Sequence, residues 1–116
     1  MLNNKLQIKD GQTLSIVGGP KDLALSVRLV MPEEADAVLV FVTNLAELKE
    51  WVQVLVTASR RGAMTWLAYP KAKQLGTDLN RDIIHDLMPS YGLDAVRQIA
   101  IDETWSALRF KSLGSK

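Results

Sequence analysis

The feature that most limits the possible folds is the run Asp36–Val42, DAVLVFV. A strand with one face in water alternates apolar and polar residues. This run does not alternate, and it is rich in β-branched side chains. Such a segment needs cover on both faces, as in the middle of a parallel sheet. A parallel neighbour requires a crossover connection, usually a helix. The next residues supply one. Asn44 and Glu47 have the spacing of a helix cap and its reciprocal acid. Leu45, Leu48, Val52, Leu55, Val56 and Ser59 recur at helical spacing and form one apolar stripe. Arg60 and Arg61 sit where the negative end of the helix dipole falls. Gly62 can take the left-handed conformation that closes the helix. Ala63–Tyr69, AMTWLAY, is strand-like again and stops at Pro70.

The flanking segments extend this β-α-β unit. Met1 to Gln12 reads as a polar lead-in, with a turn at Asp10-Gly11. Leu14 to Val17 is a short strand ending at Gly18-Gly19-Pro20. Lys21 to Val27 reads as a short helix, Arg28–Met31 as a second strand, and Pro32-Glu33-Glu34 as a loop. After the loop Lys71 to Gly76, Thr77 or Asp78 caps a helix with Leu79, Ile83, Leu87 and Met88 on one side. Pro89 and Gly92 end it. Val96 to Ile101 is a strand, and Trp105 to Lys111 returns beside it. The connection Asp102–Thr104 is too short to cross over, so the last strand runs antiparallel. The expectation is one α/β domain over residues 1–116, with residues 1–10 and 112–116 loosely ordered. Its architecture is a small three-layer sandwich: helices on both faces of a mostly parallel sheet that ends in an antiparallel hairpin.

Composition narrows the function classes. A chain of 116 residues fits one domain and can bury about two-thirds of its unfolded surface without a disulfide or metal. It has no cysteine, which excludes thiol chemistry and cysteine-based zinc sites. A single histidine, His85, excludes a multi-histidine metal centre. Fourteen basic and 13 acidic residues leave a net charge of +1, far from the balance of a dedicated nucleic-acid binder. Met1–Asp10 lacks the apolar core of a signal peptide. Ala37–Val42 is too short to span a membrane. A cytoplasmic protein without membrane attachment is expected.

Parallel strands finish at one edge of a sheet. Gly18-Gly19, Thr43-Asn44, Pro70-Lys71 and Asp102-Glu103-Thr104 are therefore expected along one rim, where open α/β sheets bind ligands. Gly18 and Gly19 allow close approach of a ligand, or simply a sharp turn. Lys71 suits a phosphate or carboxylate, or is a solvated loop lysine. Asp102 and Glu103 suit acid–base work, a cation or ribose hydroxyls, or Asp102 and Thr104 merely bind turn amides. Trp105 and Arg109, four apart on one strand face with Ala107 between them, suit an anion or a structural bridge. Trp66 reads as core. Trp51 falls off the apolar stripe and marks a contact with another chain. No nucleophile elbow or Walker-type loop is present.

The segments LQIKDGQTLSIVGGP, ADAVLVFVTNLAEL, WLAYPK, GTDLNRDII and IDETWSALRF resemble a small bacterial family, domain of unknown function three thousand and fifty-two. The resemblance implies a compact Rossmann-like fold and carries no established activity. A looser likeness is to the sheet of S-adenosylmethionine-dependent methyltransferases, which end in a similar hairpin. The Gly-Gly-Pro-Lys-Asp loop departs from a G-x-G-x-x-G fingerprint, and no clear second strand ends in an acid placed for a ribose, Glu33 being only a distant candidate. The cofactor is left unassigned. Two functions stand open. One is a non-catalytic module that binds a protein partner or assembles with itself. The other is a site at the rim for a nucleotide or other small anion, lined by Lys71, Asp102, Thr104 and Arg109, with or without chemistry.

Overall fold

The computed structural model describes residues 5–9, 11–19, 28–71 and 76–113, with Arg28 as backbone alone. The expected helix Lys21–Val27, the Asp10 half of the first turn and the last three residues lie outside the described residues. The elements are β1 (Thr13–Val17), β2 (Arg28–Leu29), β3 (Ala37–Phe41), α1 (Leu45–Arg60), β4 (Met64–Pro70), α2 (Arg81–Leu87), β5 (Leu93–Ala100) and β6 (Trp105–Ser112). A 3-10 turn, Met88–Tyr91, joins α2 to β5. The structure is thus α/β.

The sheet has six strands in the order β2-β1-β3-β4-β6-β5. Strands β1 to β4 are mutually parallel. Strand β6 is antiparallel to both β4 and β5 and lies between them. The short Asp102–Thr104 connection therefore does reverse the chain.

Every residue of β3 is buried, as its unbroken apolarity requires. Val38 and Val40 point to the face that carries Leu48, Val52, Leu55, Ile84 and Met88 of the helices. Ala37, Leu39 and Phe41 point the other way, toward Trp66, Trp105, Leu6 and Ile8. Asp36 ties the lower ends of β1 and β3 together. Its carboxylate accepts from the Thr13 amide at 2.8 Å, and its own amide donates to the Thr13 hydroxyl at 3.1 Å. That clamp sets the register Leu14↔Ala37.

Helix α1 forms as its local signals dictate. The Asn44 side chain accepts from the Glu47 amide, and Gly62 is left-handed at φ 88°. The Gly62 amide donates to the Ser59 carbonyl and the Ala63 amide to the Ala58 carbonyl, the paired bonds of a Schellman ending. The Glu47 carboxylate reaches Thr43, one residue before the cap, through both its amide and its hydroxyl.

Three readings need correction. The start of α2 is capped by Asn80, whose side chain accepts from the Ile83 amide. Thr77 only bonds the Leu79 amide, and Asp78 accepts from the Leu45 amide at the start of α1. On α2 the buried residue is Ile84, while Ile83 is exposed. The two described helices both pack on one face of the sheet, and the expected helix Lys21–Val27, on which a third layer depends, lies outside the described residues. The described pair shares a face because β3→β4 and β4→β5 cross in the same direction along the sheet. The segment around Leu6 is not a free lead-in. Leu6 and Ile8 are buried on the opposite face, and the Leu6 carbonyl accepts from the Trp66 indole at 3.1 Å.

Candidate functional site at the strand-end rim

The carboxyl ends of β1, β3 and β4 share one edge of the sheet, and β6 starts there because Pro70 lies opposite Trp105. The rim is continuous. Gly19 lies over Phe41, the Phe41 ring meets Trp105 edge-on at 4.9 Å, and the Lys71 amide donates to the Thr104 carbonyl at 2.8 Å. Distant turns are neighbours here.

The candidates nevertheless divide into four groups. The first packs on the chain itself. Gly18 and Gly19 have φ of 72° and 82°, and a Cβ on Gly19 would come within 2.3 Å of the Phe41 ring. Their close approach is to Phe41. Trp105, 8% exposed, is stacked into the same cluster. The second group serves turns and caps. Asn44 caps α1. One oxygen of Asp102 accepts from the Thr104 and Trp105 amides, each at 2.8 Å. Thr104 is half-buried, and Glu103 stands exposed at the tip of the turn.

Arg109 is the third case, and it does not line the rim. It lies opposite Trp66, well inside the sheet, and its guanidinium donates to the side chain of Gln7. Four residues at about 3.3 Å each carry it roughly 13 Å from Trp105. It shares a face with Trp105, as the spacing implies, but that is the face opposite the helices.

Lys71, the fourth case, lines an open cleft. The cleft holds about 390 Å³ between the end of β4, the start of α2 and the β5–β6 pair. Tyr69, Asn80, Arg81, Asp82, Gln98 and Ser106 complete its wall. Tyr69 and Ser106 face each other across the β4–β6 ladder. Gln98 bridges two walls: its amide nitrogen lies 3.5 Å from the Tyr69 hydroxyl and its oxygen 3.5 Å from the Arg81 guanidinium. Arg81 also lies 3.8 Å from Asp82, whose carboxylate side chain is 88% exposed and hence well solvated. Burial raises the Tyr69 phenol above its usual range, against the opposing pulls of the Ser106 hydroxyl and the Arg81 charge. Tyr69 is therefore neutral at physiological pH and able to donate.

A second hollow of about 490 Å³ adjoins the first and shares Arg81, Asp82 and Gln98 with it. His85, Ala95, Val96, Arg97 and Leu108 form the rest of its wall. Sequence reading found Lys71 but missed its companions. Tyr69 lay inside a motif already singled out. For Gln98, Ser106 and Arg81 no local signal exists, since they meet only because β6 enters between β4 and β5.

The arrangement suits recognition of a small anion: two cations, a phenol, a hydroxyl and an amide line one concave wall. Among the described residues no three histidine, aspartate or glutamate side chains gather as a metal site. Among them, too, no helix is long and apolar enough to cross a membrane. In comparisons with known proteins, no family model and no curated protein matches this sequence.

Proposed function

We propose that this protein is a binding domain for a small anionic ligand, held in the cleft beside Lys71. The observation that carries the reading is the convergence of Lys71 and Arg81 with Tyr69, Gln98 and Ser106 around one cavity at the carboxyl rim. Its volume lies within the usual range for small-molecule sites, about 300–1,000 Å³. Among the described residues of the wall no nucleophile–base pair is formed, so the reading is binding, with chemistry left to further residues or a partner. Thermal melting with orthophosphate and pyrophosphate tests it. A ligand at one hundred times its Kd adds about 2.7 kcal/mol, so the melting temperature rises by several degrees. Lys71→Ala abolishes the rise, and Arg109→Ala, outside the cleft, keeps it. A rise that survives Lys71→Ala removes the reading.

A second reading, a module that binds a protein partner or assembles with itself, draws on a different surface. Leu29 and Met31 are 61% and 64% exposed beside the β2 edge, and Trp51 is 39% exposed on α1. A monomer by sedimentation across the micromolar range, with no change on Trp51→Ala or Met31→Ser, would count against self-assembly.

The finer architecture belongs here as well. A Rossmann-like three-layer sandwich, as in the bacterial family the sequence resembles, is supported by the four parallel strands and the crossover helix α1. The third layer rests on the helix expected over Lys21–Val27. Strand β6, inserted antiparallel between β4 and β5, supports the likeness to methyltransferase sheets. The glycine turn occupied by Phe41 argues against a cofactor there, and fold likeness alone does not carry activity.

A further inference from the structure

We propose that α1 is the contact surface of a symmetric dimer, in which two copies of the helix pack antiparallel and each Trp51 enters a groove on the other copy. The inference rests on the self-assembly reading above, not on the anion-binding one, and gives it one surface and one orientation.

Helix α1 carries a second stripe besides the one that meets the sheet. Positions seven apart on a helix drift by only about 20°. Glu47, Val54 and Arg61 therefore fall on one line, flanked by Trp51 and Ala58 on one side and by Glu50 and Thr57 on the other. Lys49 and Arg60 lie outside this stripe. Its centre is apolar and its two ends carry opposite charges. Trp51 is 39% exposed. Beyond it, Val54, Thr57 and Ala58 line a groove of about 390 Å³ against Pro32 and Glu33. Arg61 closes the far end, where its Nη2 donates to the Pro32 carbonyl at 2.6 Å. Ala58 is buried and small, so the groove admits an indole ring. Knob and socket sit on the same rigid helix, so Trp51 cannot fill the socket of its own chain. A second copy can, and a two-fold axis makes the contact reciprocal.

An axis at Val54 sets the register. Trp51 then meets Thr57 and Ala58 of the second copy, while Glu47 and Glu50 meet its Arg61. Parallel helices would instead set acid against acid at one end and Arg61 against Arg61 at the other. Among the described residues Glu50 and Arg61 enter no ion pair, and Glu47 commits one oxygen, Oε1, to Thr43. Exposed ion pairs contribute little, so the charges fix the direction and the indole supplies the affinity. Residues 47–61 span about 21 Å of helix. A contact of that size is small, so the expected dimer is weak and reversible.

Sedimentation equilibrium of the full chain across the micromolar range tests this, and a dimer is the expected species. Trp51→Ala raises its dissociation constant at least about tenfold, as loss of a central tryptophan does. Arg61→Glu raises it about threefold or more, because symmetry applies the change twice. Adding Glu50→Arg to Arg61→Glu recovers most of that loss. Met31→Ser, on the β2 side, leaves the constant unchanged. A dimer indifferent to Trp51→Ala overturns the α1 contact but keeps self-assembly, and weakening by Met31→Ser then moves the contact to the β2 edge. Weakening by Trp51→Ala without recovery by the charge exchange overturns the antiparallel register. A monomer throughout overturns the dimer and the self-assembly reading together. Circular dichroism of each variant confirms that a lost dimer is not a lost fold.

Discussion

At the scale of single residues, Gly19 and Gly62 separate two reasons for a glycine. Both are left-handed. Beyond Gly62 there is open space, so Gly62→Ala carries only the conformational penalty, about 1 kcal/mol. At Gly19 the new methyl would also overlap the Phe41 ring. Gly19→Ala is expected to cost that penalty plus about 1–3 kcal/mol of overpacking, read as the difference between the two urea midpoints. Tyr69 offers a second residue-scale test. Its phenol is raised by burial, so the folded state disfavours the phenolate. The contribution to stability is complete below the ordinary tyrosine value of about 10 and is lost as pH rises through the folded value. In ultraviolet titration Tyr69 ionises later than free tyrosine. Arg81→Gln delays it further, since a charge that favoured the phenolate is gone.

At the scale of elements, α1 was legible almost entirely from sequence, because its signals are local. The cap Asn44, the acid Glu47 and the terminator Gly62 lie within four residues of the ends they define. Asn44→Ala is expected to cost about 1 kcal/mol. Glu47 is held below its ordinary value of about 4.5 by the Thr43 hydroxyl and amide, against a smaller opposing effect of burial. Its contribution is present above the unfolded value and is lost as pH falls through the folded one. Glu47→Gln should therefore be less stable than the parent at pH 7 and nearly equal to it well below pH 4.5, as read by urea midpoints at both pH values. Helix α2 was misread at its start for the opposite reason. Asp78 looks like a local cap but spends its carboxylate on Leu45, 33 residues away. Short polar side chains near a helix start announce that a bond is available, and only packing decides which amide takes it.

At the scale of the whole molecule, the residues before β1 close the sheet face that the described helices leave open. Leu6 and Trp66 are fully buried together, joined by the indole-to-carbonyl bond. Leu6→Ala is expected to cost about 2–5 kcal/mol through the cavity it leaves. Trp66→Phe strands the Leu6 carbonyl and costs about 1–3 kcal/mol for that loss alone. The two share one contact, so the double variant should fall short of their sum by about 0.5 kcal/mol or more. Strict additivity in denaturant unfolding would show that the N-terminal segment is not docked as described.

The chain's own pattern determined the α/β class, the buried central strand, the extent of α1 and the meeting of distant turns at one rim. Each follows from periodicity, capping chemistry or the common direction of parallel strands, and all of these are encoded within a few adjacent residues. Tertiary structure alone decided which rim residues line the open cleft. Inserting β6 between β4 and β5 brought Tyr69, Ser106 and Gln98 beside Arg81 and Lys71. The same sheet put Trp105 and Arg109 on its other face. Sequence periodicity tells which side chains share a face of one strand. It does not tell which strands become neighbours, and a cleft lined by four separate segments exists only once that order is set.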